Sequence, residues 1–187
     1  MEKILFINSC IRDKDSRTLV LAKEFISQIK DRYEVEEIII DTLDMEPKSI
    51  KDFESDYIDP KYIALAKKVA SADKLVIVTP FWDMSFPSKL KIFIERTTLP
   101  GITMSETNDI EGVCKADELL VINTKGWDIE DFSEMDGLST YFQALKHLWG
   151  IKKYSVISVS GLDTHPDSVD ELIKQGLKKV QKVAKKF

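Results

Sequence analysis

The segment 8–18 joins a short apolar run to a predicted helix and carries side chains suited to binding an anion. Ser16 and Thr18 supply hydroxyls at the expected start of that helix, and Arg12 and Arg17 could add positive charge. Unpaired main-chain N–H groups and the helix dipole favour an anion such as phosphate at this position. The alternative is that Ser16 serves only as the N-cap of the helix.

Two common phosphate-binding patterns are absent from the sequence. It contains no G-x-G-x-x-G, which disfavours a dinucleotide site of the Rossmann type, and no G-x-x-x-x-G-K-S/T, which excludes a P-loop. A phosphate site at segment 8–18 would therefore be of another kind.

The segment 79–91 places large apolar side chains where the chain should reach solvent. Phe81, Trp82, Met84 and Phe86 come soon after a continuous apolar run that is typical of a strand buried on both faces. Exposed apolar groups at the ligand end of a sheet are unfavourable unless something covers them. A planar aromatic ligand would do so. The alternatives are a dimer contact or a small satellite core, and either can coexist with a ligand.

Hydrophobic periodicity predicts the elements that must position these loops. Apolar runs predict five strands, and apolar residues at helical spacing predict five helices that alternate with them. The predicted strands cover 3–8, 35–40, 75–78, 119–122 and 154–159, and the predicted helices cover 16–30, 60–70, 139–149 and 168–186, with a further helix beginning at Pro87. The intervening segments 41–59 and 98–112 are predicted to be irregular.

Strand–helix alternation of this kind predicts an α/β fold with an open parallel sheet and helices on both faces. Five strands are too few for a closed eight-unit barrel. The strand order is then 2-1-3-4-5 or 3-2-1-4-5, and in either case ligands bind at the carboxyl ends of the strands, beside the switch point. Residues 1–187 are expected to form one domain, since this length can bury a substantial core.

The loops at this edge resemble those of a known enzyme family. Residues 80–91 read P-F-W-D-M-S-F-P-S-K-L-K. They match the pattern P-M/F-Y/W-N/D-x-x-x-P/S-x-x-L-K. This pattern resembles that of the FMN-dependent NAD(P)H:quinone oxidoreductases and azoreductases. The first loop has an S-x-S/T triplet at 16–18, and the loop 123–127 stands where those enzymes have a T-R-G-G-like turn. The resemblance covers nearly the whole chain.

The resemblance implies a flavodoxin-like fold with strand order 2-1-3-4-5 and three groups of contacts to FMN. Ser16, Arg17 and Thr18 would hold the phosphate, with Cys10 lining the ribityl chain; Phe81, Trp82, Asp83 and Met84 would lie along the isoalloxazine ring; Thr124, Lys125, Gly126 and Trp127 would close over its pyrimidine edge. Such enzymes pass a hydride from NADH or NADPH through FMN to a quinone, an azo compound or a similar small-molecule acceptor. They are typically homodimers.

At two positions the chain differs from many relatives. Asp83 stands where many relatives have an amide, and a carboxylate near the flavin N5 and O4 atoms would disfavour the anionic reduced flavin unless it is protonated or turned away. Trp127 replaces a glycine and either narrows the mouth of the pocket or serves in packing.

Because the flavin carries the hydride chemistry, no side chain is predicted to be catalytic. Cys10 is expected to line the site rather than act as a nucleophile, and His165 is either a proton donor or part of a turn.

Composition limits the other classes of function. The net charge of −5, with acidic and basic residues interspersed, argues against a nucleic-acid partner. Two cysteines and two distant histidines indicate neither a metal site nor a disulfide framework. The sequence has no apolar stretch long enough to span a membrane and no leader-like segment, so a cytoplasmic protein without a membrane partner is expected.

Three alternatives to the oxidoreductase remain open from the sequence: a flavodoxin-type electron carrier, an FMN reductase, and a binding module that kept the fold without the cofactor. The first loop lacks the compact T-G-x-S/T-like run of flavodoxins, and the long segments 41–59 and 98–112 suggest a covered pocket. Both features favour the enzyme over the carrier.

Overall fold

A parallel sheet forms the centre of the molecule, for which a computed structural model describes residues 1–12, 14–107 and 112–187. Within these residues five strands pair in the order β2-β1-β3-β4-β5, all in parallel. The strands are β1 (Glu2–Asn8), β2 (Tyr33–Ile39), β3 (Lys74–Pro80), β4 (Glu118–Thr124) and β5 (Lys153–Val159). The predicted open sheet is confirmed, and 2-1-3-4-5 is the strand order found.

Helices cover both faces of the sheet, as predicted. In the described ranges they are α1 (Arg17–Ile29), α2 (Ile50–Glu54), α3 (Pro60–Ser71), α4 (Ser88–Thr97), α5 (Gly137–Leu148) and α6 (Val169–Ala184). The ends of the predicted strands and helices differ from the observed ends by no more than two residues. Two starts have simple local causes: Ser16 caps α1 by accepting from the N–H of Leu19, and Pro60 is the first residue of α3.

Alternate residues of the inner strands enter two separate cores, one on each face of the sheet. In β1, Ile4 and Phe6 pack with α1 and α6, whereas Leu5 and Ile7 pack with α3, α4 and α5. The strands β3 and β4 follow the same two-residue alternation, so their buried centres are continuously apolar. Because both faces are covered by helices, the loops at the carboxyl edge stand on a rigid base.

The segment 41–59 contains the short helix α2, so the prediction of little regular structure is wrong for residues 50–54. The helix has a local start signal. The main-chain N–H of Ser49 donates to the carboxylate of Asp52 at 2.6 Å, as in a capping box. A helix this short has no amphipathic period to reveal it, and its stability depends on contacts with the rest of the fold.

Arg96 of α4 supplies those contacts. Its guanidinium donates to the carbonyls of Glu46 and Pro47 at 2.7 and 2.9 Å and to the carboxylate of Asp52 at 2.5 Å. It also lies over the ring of Tyr62, 4.6 Å from the ring centre. The hydrogen bond from Arg96 is the main reason that the pKa of Asp52 lies well below its usual range. One arginine thus ties residues 46, 47 and 52 of this segment to α4.

The structure describes residues 98–107 and 112 of the second irregular segment, and these contain no helix and no strand of the sheet, as predicted. Residues 108–111 lie outside the described residues. Gly112 passes so close to the main chain at Trp149 that a Cβ on it would lie 1.8 Å from the Trp149 carbonyl carbon. None of the helices in the described ranges is long and apolar enough to cross a bilayer.

The core beneath α1 and α6 gives a first prediction. Phe25 is fully buried and packs edge-to-face on Phe187 with the ring centres 5.0 Å apart. Replacing Phe25 by Ala should lower the free energy of unfolding by about 3–5 kcal/mol, because a cavity replaces the ring. Urea denaturation measures this loss. The matched control is Val20→Ala on the exposed side of the same helix, for which a loss below about 1 kcal/mol is expected. Equal losses would contradict the core assignment.

Candidate functional site

The loops that follow β1, β3, β4 and β5 enclose a cavity of about 460 Å³ at the carboxyl edge of the sheet. The strands β1 and β3 are neighbours in the sheet, and the helices that follow them lie on opposite faces. Open α/β sheets bind ligands at such a switch point. The residues that line this first cavity are Cys10, Ile11, Arg12, Asp15, Ser16, Arg17, Thr18, Pro80, Phe81, Trp82, Thr124, Lys125, Gly126, Leu162 and Asp163.

A second cavity of about 370 Å³ adjoins the first and shares Phe81, Trp82, Gly126 and Asp163 with it. Its other lining residues are Asp83, Met84, Trp127 and Ile129. All twelve residues expected to contact a cofactor therefore line one cavity or both. Their contacts with a ligand stay a prediction, but the fold does bring them together.

The first turn of α1 provides donors at the first cavity. The main-chain N–H groups of Arg17 and Thr18 have no acceptor among the described residues. The hydroxyl oxygen of Ser16 accepts from the N–H of Leu19 at 3.2 Å, so Ser16 is indeed the N-cap. This role does not exclude an anion, because capping uses a lone pair of the oxygen and leaves the hydroxyl hydrogen available.

The hydroxyls of Thr18 and Thr124 join the start of α1 to the end of β4. Their oxygens lie 2.6 Å apart, so one donates to the other and the acceptor keeps its own hydrogen for a further bond.

Cys10 lies beside Ser16 and Thr18 in the same lining. Burial raises the pKa of Cys10 to about 11, although hydrogen bonds with Ser16 and Thr18 act in the opposite direction. A thiol that stays protonated at neutral pH suits a lining role and not nucleophilic attack.

Residues 82–85 form a tight turn beside both cavities. The N–H of Trp82 donates to the carbonyl of Ser85 at 3.0 Å, and the N–H of Ser85 donates back at 2.7 Å. The central residues Asp83 and Met84 both have left-handed backbones, with φ of 47° and 62°. Consecutive positive φ values define a type I′ turn, and each non-glycine residue there costs about 1–2 kcal/mol. The turn therefore needs support from its surroundings.

The start of α5 gives that support. The N–H of Gly137 donates to the carbonyl of Met84 at 2.9 Å, and a Cβ on Gly137 would lie 2.8 Å from the same oxygen. Only glycine allows the helix start to approach the turn this closely. Asp136 caps the helix by accepting from the N–H groups of Leu138 and Ser139, each at 3.1 Å.

The ammonium of Lys125 points into the protein instead of lying free at a ligand edge. It lies 2.7 Å from the carboxylate of Asp131 and 3.2 Å from that of Asp136, and it donates to the carbonyl of Ile129 at 3.3 Å. It also lies 5.2 Å from the centre of the Phe81 ring. Lys125 lines the first cavity, but these partners take up its charge. Only the main chain and the methylene groups of Lys125 are then available to contact a ligand.

Asp136 remains ionised in this buried setting. Burial opposes the charge, but hydrogen bonds from Ser139 and from the N–H of Phe132, together with the charge of Lys125, outweigh it and lower the pKa of Asp136. The buried pair of Lys125 and Asp136 therefore links the loop after β4 to the cap of α5.

Asp163 lines both cavities and was missed by the sequence analysis. The available signal was its position just after the predicted fifth strand, at the carboxyl edge of the sheet. His165 in the same loop lines neither cavity and instead lies 2.7 Å from the carboxylate of Asp128. In the part of the chain that the structure describes, no group of three or more His, Cys, Asp or Glu side chains is arranged to hold a metal ion.

A family model for proteins of flavodoxin-like fold matches residues 2–184. The chain belongs to this family. The match to the flavodoxin-like family spans all the strands of the sheet and every loop that lines the two cavities.

Curated relatives match the flavodoxin-like chain over its full length. It is 27% identical over 203 residues to the FMN-dependent NADH:quinone oxidoreductase of Coprothermobacter proteolyticus, with 100% of each chain covered. It is likewise 27% identical over 201 residues to an enzyme of the same name from Clostridium perfringens, again with 100% of each covered.

Among solved structures, the fold is similar to that of an FMN-dependent NADH-azoreductase from Bacillus anthracis in complex with FMN. The TM-score is 0.86 at 20% identity, with 99% of each chain covered. An NAD(P)H:quinone oxidoreductase from Methanothermobacter marburgensis matches with a TM-score of 0.76 at 13% identity, covering 97% of this chain and 96% of the other. These likenesses establish the fold independently of the family model.

The buried ion pair generates a second prediction. Replacing Lys125 by Met should lower the free energy of unfolding at neutral pH by about 3–5 kcal/mol, because Asp136 loses its buried counter-charge. The matched control is Lys152→Met, which removes an exposed ammonium 2.7 Å from Asp117 and should cost less than about 1 kcal/mol. Urea denaturation of both variants measures the difference.

Acid pH gives a further check on the same variant. The pKa of Asp136 is lowered in the fold from an ordinary value of 3.8, so its charge stabilises the wild type above that pH and this contribution is lost as the pH falls below it. The deficit of Lys125→Met should therefore narrow as the pH is lowered through this range. A deficit that does not change with pH would show that lost packing, and not lost charge, is responsible.

Proposed function

We propose that this chain is an oxidoreductase that holds FMN across the two joined cavities and transfers hydride from NADH or NADPH to a quinone, an azo compound or a similar acceptor. One observation carries the proposal: a helix start with unpaired N–H donors opens into an aromatic-lined cavity at the switch point of the sheet. The full-length relatives named FMN-dependent NADH:quinone oxidoreductase support it.

The donors at the start of α1 fit the phosphate of FMN. The N–H groups of Arg17 and Thr18, the hydroxyl hydrogen of Ser16 and the guanidinium of Arg17 all belong to residues that line the first cavity. The Thr18–Thr124 pair keeps one more hydroxyl hydrogen for the ligand. Cys10, small and uncharged, would form the wall beside the ribityl chain.

The second cavity fits a planar heteroaromatic ring. Phe81, Trp82, Met84 and Trp127 provide apolar and aromatic surfaces for stacking. Trp82 and Trp127 are 43% and 59% exposed, which is unfavourable for such large side chains unless a ligand covers them. Main-chain groups at Gly126 would meet the polar edge of the ring.

When bound, FMN would accept hydride from a reduced nicotinamide and deliver it to the acceptor, so the hydride chemistry belongs to the cofactor. The residues of the chain would bind the flavin, orient it and shield it from water. The turn 82–85, braced by Gly137, fixes the position of Trp82 and Asp83. Asp83 lines the second cavity and would present its carboxylate where many relatives have an amide. No side chain is proposed as an acid or base.

We further propose that residues 1–187 form one domain and that the protein acts in the cytoplasm as a homodimer. The support for a dimer is a set of large apolar side chains in the segment around α2. Ile50, Phe53 and Tyr57 are 69%, 75% and 72% exposed, and a second copy of the chain would cover such a surface.

Reconstitution with FMN tests the proposed function. We expect the purified chain to take up FMN, to show the absorbance of a bound flavin, and to sustain NADH oxidation when a quinone is added. A flavin that is reduced only by a partner protein would indicate an electron carrier, and turnover limited by free FMN would indicate an FMN reductase. A protein that takes up no FMN would overturn the proposal and leave a binding module.

The phosphate site gives a third prediction. Thr18→Val keeps the shape of the side chain but removes its hydroxyl, so FMN affinity should fall about tenfold or more, as expected for one lost hydrogen bond to a charged group. Riboflavin, which lacks the phosphate, should bind equally well to both proteins. The control is Ser27→Ala, a hydroxyl loss near the other end of α1, where the hydroxyl of Ser27 donates to the carbonyl of Glu24. Unchanged FMN affinity in Thr18→Val would refute the assignment.

A further inference from the structure

Asp163 and Arg17 form an ion pair at the wall of the first cavity. Nη1 of Arg17 donates to Oδ1 of Asp163 at 2.7 Å, with the two side chains 43% and 66% exposed. Arg17 is the first residue of α1, whereas Asp163 lies in the loop after β5. The guanidinium that would bind the phosphate is thus already paired with a carboxylate of the protein itself.

The main chain keeps Asp163 at this position. The N–H groups of Asp163 and Thr164 donate to the carbonyl of Gly126 at 2.8 and 3.1 Å. The contact with Gly126 is so close that a Cβ on this glycine would lie 2.3 Å from Oδ2 of Asp163. The loop cannot carry the carboxylate away from the cavity without breaking both main-chain bonds.

The charges that line the first cavity largely cancel. Arg12 and Arg17 supply positive charge, but Asp15 and Asp163 lie in the same lining. The ammonium of Lys125 adds nothing here, because it is paired with carboxylates in the interior. A carboxylate repels a phosphate and competes with it for the same donors. The wall of this cavity is therefore not optimised to retain an anion.

We propose that Asp163 determines how strongly the site prefers a phosphorylated flavin to an unphosphorylated one, because its carboxylate competes with the phosphate for Arg17. This inference rests on the proposed function. A phosphate must either displace the carboxylate or share the guanidinium with it, and sharing leaves two anions side by side. FMN then binds less tightly than its donors alone would allow, and bound FMN exchanges with free flavin.

The variant Asp163→Asn tests this role, since it removes the charge and keeps the shape. The dissociation constant for FMN should fall about three- to tenfold, a modest change because both side chains are partly exposed. The constant for riboflavin should change less than about twofold, because riboflavin has no phosphate. Titration of the flavin-free protein, followed by quenching of flavin fluorescence, gives both constants. The matched control is Asp167→Asn, an exposed carboxylate in the same loop.

A double-mutant cycle shows whether Asp163 acts through Arg17. The two variants Arg17→Gln and Arg17→Gln with Asp163→Asn are compared in the same titration. Under competition for the guanidinium, the gain in FMN affinity from Asp163→Asn should be clearly smaller when Arg17 is absent. An equal gain in both backgrounds would overturn the competition. Weaker FMN binding in Asp163→Asn alone would also overturn it, since Asp163 would then be orienting Arg17 for the phosphate.

The failure of this inference can be told apart from failure of the proposed function. If the wild type binds no FMN, the proposed function fails. If the wild type binds FMN and oxidises NADH, but Asp163→Asn leaves the ratio of FMN to riboflavin affinity unchanged, only the role of Asp163 fails. Thermal unfolding of each variant without flavin confirms that the folded protein is being compared.

Discussion

A buried ion pair connects the parts of the site that the sheet alone does not join. Lys125 follows β4, Asp136 caps α5, and both side chains are inaccessible to solvent. Separating them would leave an uncompensated charge in the interior, so the pair holds the start of α5 against the end of β4. Because Gly137 binds the carbonyl of Met84, the same constraint extends to the strained turn after β3. Two of the four loops around the cavities, those after β3 and β4, thus depend on one lysine.

Much of the fold could be predicted because its determinants are local. The continuous apolar residues of β3 and β4 indicate strands covered on both faces, and Ser16 and Pro60 indicate where helices begin. Parallel strands end at a common edge, so the loops at 8–18, 79–91 and 123–127 had to meet. The placement of the candidate site follows from that rule, and the family resemblance added the identity of the ligand.

The parts that could not be predicted depend on contacts between distant residues. A lysine in a loop is usually exposed, and nothing at Lys125 itself indicates that carboxylates will enclose it. The helix α2 is held by Arg96, which lies 44 residues beyond Asp52 in the chain. Asp163 meets Arg17 across 146 residues. Periodicity and spacing contain no information about such distances, so these three features required the structure.

The left-handed backbone at position 83 limits which residue types can lie beside a ring in the second cavity. Aspartate, asparagine and glycine enter this region most readily, whereas branched and bulky residues are strongly disfavoured. Glycine would contribute no functional group, whereas aspartate and asparagine have the same shape and differ in charge. The geometry of the main chain therefore selects the available chemistry first. Adjustment of the electronic environment at this position is therefore made most readily by exchanging an acid for its amide.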